Sequence, residues 1–488
     1  MTVEPTQERW RATFDTVPQM FFNALQAAPD TLYCKGSEGE LSYSQAAGAM
    51  AALVEKLGPD IKGRTVALVL PNSTAFLIAY FGVLFAGANP ALVNYGHPDG
   101  TIDKLLHGLD VAAVLSDRDI VGIETTHFDD SAAHLLATTK SADALQNNSA
   151  ASDIGAILFS GGTTGLPKQV PHSNDVLVKK IERMEWGWPT LRDEKWLPVA
   201  PFTHVYGFLM GVLNPVMRAG SVIIPPRFQP DLIVDMLSEE NITIFGGGPP
   251  AIYQGIMASG KFADAKFTSL RVCPGGGAPF PIEVLRRWEQ ATGLPIAEGY
   301  GMTEIAPISV NTETDGMKPG SAGKPVPDTS IEIVDVKTGL EQMPAGEIGE
   351  IRIKGPHMMT GYVGNAAETD LALKHGYVYT GDIGTLDKDG FLTISDRKKN
   401  VIFVSGFNVF PREIEELLLT HPAISAACVV GQPHERSGEV PVAFVTLRSP
   451  LEDSQIHTFC QENLIAYKLP SQITILPEMP LTPSGKVD

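Results

Sequence analysis

Residues Leu158–Val170 read LFSGGTTGLPKQV, a run of glycines and hydroxyls that ends beyond a single lysine. Glycines let backbone N–H groups turn toward an anion, Ser160, Thr163 and Thr164 offer hydroxyl donors, and Lys168 adds a positive charge. Such a stretch suits the phosphates of a nucleotide. Its spacing is not that of a Walker loop, because Lys168 follows Pro167 and precedes Gln169 instead of lying between Gly and Ser or Thr. Taken alone, it is also compatible with a flexible turn between an apolar run and a later helix.

On both sides of this stretch, from about Tyr43 to Leu294, short apolar runs alternate with helical patterns. TVALVL at 65–70 precedes NSTAFLIAYFGVLFAG at 72–87, and PALV follows at 90–93. The pattern returns as ITIF before PPAIYQGIM, and as LRVC before PIEVLRRWEQATG. Alternation of this kind predicts an α/β fold whose ligand loops sit at the carboxyl ends of parallel strands. Ser173 and Asn174 are candidate helix caps, and Leu177, Ile181 and Met184 recur at helical spacing. The glycine loop is therefore expected to open onto a helix a few residues later, ended by WGWP at 186–189.

Further on, IEIVDV and EIGEIRIKG flank turn-forming residues and predict an antiparallel hairpin within a β subdomain between Ser330 and Asp396. The polar, basic run Asp396–Asn400 separates FLTIS from VIFVS and has the character of a hinge. Beyond it Pro411 opens a helix with Ile414, Leu417 and Leu418 on one face, closed by Pro422. ISAACVV, PVAFVTL, the helical QIHTFCQENL and QITIL follow. The expected fold is α/β. A large N-terminal domain of αβ-layered subdomains plus the β subdomain covers 1–396, a hinge covers 397–400, and a small mobile α+β C-terminal domain covers 401–488.

At 488 residues and 43% hydrophobic content the chain has material for two or more soluble domains. The N-terminus MTVEPTQERW lacks a basic stretch leading into an apolar core, and no apolar run approaches the roughly 18 residues of a membrane span, so a cytoplasmic location without membrane insertion is expected. The four cysteines are scattered and the eleven histidines show no HExxH. Reduced thiols, and no metal beyond one carried by substrate, are expected. A net charge of −19 argues against nucleic acid as a partner, because the long-range field repels polyanions.

Five segments, LFSGGTTGLPKQV, PGGGAPFP, EGYGMTEIAP, YTGDIGTLDKDGFLTISDRKKNVIFVSGFNVFPREIE and PSGK, together resemble the ordered motifs of the adenylate-forming (AMP-binding) acyl-CoA synthetases. Within that family, FSGGTTG, EGYGMTEIAP and SGFNVFP are most similar to the medium- and long-chain fatty-acyl-CoA synthetases. The resemblance implies an AMP-forming acid–thiol ligase using ATP, Mg2+ and coenzyme A. A carboxylate attacks the α-phosphorus of ATP, pyrophosphate leaves, and the CoA thiol then displaces AMP. The site must neutralise both anions and align them for in-line attack.

Residue by residue, the resemblance gives the phosphates to Ser160, Gly161, Gly162, Thr163, Thr164, Gly165 and Lys168. Gly161 stands where Ser is usual, and Gln169 where Gly is usual. Gly276, Gly277, Ala278 and Pro279 would let adenine lie against backbone, with Tyr300 stacked on it, within the segment Glu298, Gly299, Tyr300 and Gly301. Thr303 would meet the α-phosphate and Glu304 the magnesium, a hard cation that prefers oxygen ligands. Asp382 and Arg397 would hold the ribose diol. His204 would border the acyl carboxylate, and Lys486 would stabilise charge in the adenylation transition state. A swing about Lys399 would withdraw Lys486 and bring Gly406 and Phe407 to the pantetheine. Relatives continue through another helix where this sequence reaches Asp488, so the C-terminal domain is expected to lack its last helix.

The acyl pocket is expected from Val205, Tyr206, Gly207, Gly247, Gly248, Met302 and Ile308, which are apolar or small. An amino-acid substrate would need an acidic partner for its ammonium near Val205, where the side chain is apolar. A fatty acid fits better. Three alternatives stay open: an aryl-CoA ligase, an acyl-adenylate donor to a carrier protein, and a non-catalytic nucleotide-binding protein. The last predicts ATP binding without acid-dependent pyrophosphate release.

Overall fold

The apolar run ahead of the glycines folds as strand Ile154–Ser160, and the residues after them fold as strand Lys168–Ser173, antiparallel to it with Ser160 opposite Lys168. The glycine stretch thus joins two paired strands, where the sequence led to an expectation of a helix beyond the loop. KQVPHS alternates buried Val170 and His172 with less buried neighbours, as a strand does. Pro171 is tolerated because this strand is at the edge of its sheet. The predicted helix follows directly as Asn174–Gly187, and the Ser173 side chain caps it by accepting from the Val176 N–H. Leu177, Ile181 and Met184 are buried, and Trp188 ends the helix as expected.

In this computed structural model, residues 10–147, 149–160, 166–405 and 407–480 are described. The chain divides into two compact units, Met1–Ser330 with Ile353–Val378, and Ile331–Arg352 with Tyr379–Asp488. This grouping differs from the boundaries drawn at 396 and 401, because the hairpin strands after Ile331 pack with the C-terminal residues.

In the first unit a six-stranded sheet runs in the order Thr126–His127, Val111–Ser116, Thr65–Val69, Asn89–Leu92, Ile154–Ser160, Lys168–Ser173. All neighbours are parallel except the last pair. A five-stranded sheet has the order Ile244–Gly246, Lys195–Pro198, Ser221–Ile223, Leu32–Gly36, Gly39–Ser42. The helix Thr74–Phe85 has all its residues buried, which explains its uniformly apolar sequence. Among the described residues no helix is long and apolar enough to cross a membrane.

A third sheet pairs Cys273–Gly275 with Ile296–Met302 in parallel, and Ile296–Met302 with Ile305–Val310 in antiparallel. Thr303 and Glu304 form the tight turn between the last two strands. A further sheet places Ser330–Val334 beside Gly349–Lys354, and Tyr377–Leu386 beside Leu392–Arg397. The second unit ends in a sheet of Phe407–Val409, Ile402–Val404, Gly438–Leu447, Ile424–His434 and Gln472–Ile475. Helices Pro411–Thr420 and Asp453–Asn463 bury Ile414, Leu418, Ile456 and Cys460 in the core of that unit.

Candidate active site

Lys168 opens the strand Lys168–Ser173, and its Nζ lies 2.5 Å from Glu368 Oε2 and 4.7 Å from the centroid of the Tyr362 ring. To reach a phosphate, the lysine must exchange one carboxylate partner for another anion. Gln169, the departure from the family glycine, donates from Nε2 to Leu105 O at 2.7 Å and to His107 O at 3.1 Å. That side chain fixes the exit of the loop to the end of helix Asp99–Leu106. Ser160 is buried at the end of its strand.

Thr303 and Glu304 are buried in their turn, and the Tyr362 hydroxyl donates to Glu304 Oε1 at 2.7 Å. Behind this turn lies a polar layer drawn from three elements. Lys180, on the helix that Ser173 caps, is fully buried, and among the described residues its Nζ has no hydrogen-bond partner. Burial pushes its ammonium down to about 7, with Glu304 acting against the shift. His172 lies against the Thr303 backbone without a well-formed hydrogen bond, and His357 Nε2 meets Pro307 O at 2.6 Å. Burial, reinforced by Lys180, holds both imidazoles well below their usual range.

A small cavity of about 50 Å³ opens beside these strands, lined by His204, Val205, Tyr206, Gly276, Gly277, Gly299, Tyr300 and Gly301 from the expected set. Met184, Trp188, Leu209, Ala306, Pro307 and Val310 complete most of its wall. His204 is exposed and caps helix Val205–Phe208 by accepting from the Tyr206 N–H at 3.2 Å, so it is not a core histidine. A Cβ on Gly276 would lie 2.9 Å from Gly299 O, so glycine is what lets the two strands close up there. Tyr206 donates to Pro274 O at 3.0 Å and accepts from Gly248 N at 3.2 Å.

Several expected wall residues lie off this cavity. Gly207 is pressed against the Pro201 carbonyl, where a Cβ would stand 2.1 Å away, and Gly247 packs against Phe245 and Tyr253. Ile308 is fully buried within its strand. Gly248, Met302, Ala278 and Pro279 also lie outside the lining. Glu298 accepts from the Gly320 N–H at 3.1 Å and serves to hold that loop.

In the second unit Asp382 and Arg397 stand opposite each other across paired strands, with Arg397 Nε 2.8 Å from Asp382 Oδ1. Asp382 is buried while Arg397 is exposed. Lys399 is exposed in the short helical turn Lys398–Asn400. Phe407 is exposed and stacks on Tyr467 with centroids 4.6 Å apart. Gly161, Gly162, Thr163, Thr164, Gly165, Gly406 and Lys486 lie outside the described residues.

Glu304 offers hard carboxylate oxygen, the kind of ligand that suits a magnesium ion arriving with its phosphates. Sequence reasoning missed Tyr362, Lys180, His357 and Trp188. Only Trp188 carried a local signal, lying one helical turn beyond Met184.

Residues 21–363 match the AMP-binding enzyme family and residues 413–486 match the AMP-binding enzyme C-terminal domain. The chain is 32% identical over 475 residues to a long-chain-fatty-acid–CoA ligase of Bacillus subtilis, covering 87% of this chain and 84% of that protein. It is 31% identical over 492 residues to a 4-coumarate–CoA ligase of Pinus taeda, covering 95% and 90%. The fold is similar to that of ATP-bound MatB from Rhodopseudomonas palustris, with a TM-score of 0.89, 26% identity and 97% of each chain covered.

Proposed function

We propose, for a chain that belongs to the AMP-binding enzyme family over its main body and its C-terminal domain, that the acid it activates is a fatty acid. The chain is an AMP-forming acyl-CoA synthetase that uses ATP, Mg2+ and coenzyme A. The observation that carries the fatty-acid reading is the cavity that runs from His204 to Met184, Trp188, Leu209 and Val310, whose lining among the described residues holds no Asp, Glu, Lys or Arg. An ammonium or a second carboxylate on the substrate would be desolvated there without a counter-charge.

In this proposal the acid carboxylate lies beside His204, with its tail along the apolar wall, and adenine lies by Gly276, Gly277 and Tyr300. The carboxylate is already ionised near neutrality, so His204 positions it and need not remove a proton. A carboxylate oxygen forms a bond to the α-phosphorus as the bond to the β-phosphate oxygen breaks and pyrophosphate leaves. Lys168 leaves Glu368 to neutralise the triphosphate, while Thr303 donates to the α-phosphate. Magnesium, when bound, would be held at Glu304 and would offset phosphate charge. Asp382 and Arg397 take the ribose. In the second step the CoA sulfur bonds to the acyl carbon and AMP departs. Lys486, the hinge at Lys399, and Gly406 with Phe407 keep the roles that the family resemblance gives them. The four free cysteines accord with a reducing compartment, and we place the reaction in cytoplasmic fatty-acid metabolism.

An aryl acid is the second reading, favoured by the aromatic side chains of Trp188 and Tyr206 on the wall. Pyrophosphate–ATP exchange and thioester formation across straight-chain, branched and aryl acids separates the two. Highest kcat/KM on an aliphatic acid supports the fatty-acid proposal, and highest kcat/KM on an aryl acid replaces it. Nucleotide binding with no acid-dependent exchange would leave a non-catalytic binder, and exchange with transfer only to a carrier protein would change the acceptor.

A further inference from the structure

The segment after Gly355 returns to the first unit and touches both charged ends of the proposed phosphate site. The Met359 N–H donates to Glu304 O at 2.7 Å, and the Val363 N–H donates to Gln169 O at 3.0 Å. Between these two anchors stands Tyr362, 9% exposed and packed with Val170 and Met359. Its hydroxyl donates to Glu304 Oε1, its ring lies under the Lys168 ammonium, and its own N–H donates to Thr369 Oγ1 at 2.9 Å.

We propose that Tyr362 is a positioning residue that fixes the Glu304 carboxylate and the Lys168 ammonium relative to one another, so that the magnesium–triphosphate site is assembled before nucleotide arrives. The inference rests on the reading of Lys168 and Glu304 given above. A phenol is suited to both tasks. Its O–H orients the carboxylate through one oxygen while adding no charge that would compete with a cation, and outer partners of this kind tune metal affinity. Its face attracts the ammonium through the ring quadrupole, and this attraction persists when Lys168 exchanges Glu368 for phosphate. A carboxylate in its place would hold the lysine against the substrate.

Calorimetric binding of a non-hydrolysable ATP analogue, without acid and over a magnesium series, tests this. Tyr362→Phe keeps the ring and loses the hydroxyl. It is expected to need about tenfold more magnesium for half-maximal tightening, while magnesium-free binding stays within about twofold of wild type. Tyr362→Leu is expected to weaken magnesium-free binding as well, by about threefold, through loss of the cation–π contact. An unchanged magnesium midpoint in Tyr362→Phe, or equal weakening with and without magnesium, overturns the proposal. Glu368→Gln leaves Tyr362 in place and serves if the tyrosine variants do not fold. The ring alone should then keep Lys168 at its post, with analogue binding unchanged or tighter, and a loss beyond about fivefold would overturn the idea, since a partly exposed ion pair is worth little. Wild-type protein that neither binds the analogue nor exchanges pyrophosphate with any acid breaks the functional reading; intact wild-type binding with an unresponsive Tyr362→Phe breaks only this inference.

Discussion

Two charged constellations of the molecule were found by different routes. Asp382 and Arg397 face each other across one antiparallel strand pair, separated by a short stretch of chain, and the arginine remains exposed. Lys168, Glu304 and Tyr362 come from three segments, and Glu304 is buried with its carboxylate hydrogen-bonded to Tyr362 and acting on the buried Lys180. A pair made by strand register is local, and its loss should be felt mainly by the ligand. A network closed by tertiary packing ties ligand binding to the stability of the core.

Four measurements bear on that contrast. Lys168→Ala should lower kcat/KM for ATP by about a hundredfold, because one preorganised cation on the phosphates is removed, whereas Lys168→Arg should recover part of it. Asp382→Asn should weaken ATP by about tenfold, the worth of a charge-assisted hydrogen bond, while 2′-deoxy-ATP is affected less. Equal losses for both nucleotides would remove Asp382 from the ribose.

His357 probes the buried layer. Its imidazole is held below the ordinary value of 6.5, so the unfolded chain takes up a proton there before the folded one does. Its contribution to stability is therefore complete above pH 6.5 and is lost as pH falls below it. Denaturant unfolding from pH 7 to 5 should show that His357→Gln removes up to about 1.4 kcal/mol per pH unit from the slope. The smallest effect belongs to the exposed partner of the strand pair. Arg397→Gln should change unfolding free energy by less than about 1 kcal/mol while still raising KM for ATP. A large loss of stability there would erase the distinction between the two constellations.

The pattern of legibility follows the same division. The helix Asn174–Gly187 was marked by its Ser173 cap and its apolar spacing, yet Lys180, Glu182, Arg183 and Glu185 on it are buried where charged residues would be expected in water. Two of them meet partners far along the chain, Arg183 donating to Asp328 at 3.1 Å and Glu185 standing 3.3 Å from Arg218 Nε, while Glu185 also accepts from the nearby Thr190 Oγ1 at 2.6 Å. No spacing rule announces such pairs. The edge strand Lys168–Ser173 escaped notice for a related reason, since six residues containing a proline have no extended signature until a neighbour supplies the hydrogen bonds.

The amino-acid order by itself determined the α/β alternation, the helix Asn174–Gly187 with its Ser173 cap, and the C-terminal helix opened by Pro411, because periodicity and capping act over a few residues. Folding in three dimensions decided which side chains line the cavity beside His204, that Gly207 and Ile308 serve packing, and that Tyr362 stands between Lys168 and Glu304. Those outcomes depend on desolvation and on contacts between distant segments, and both exist only once the core has closed.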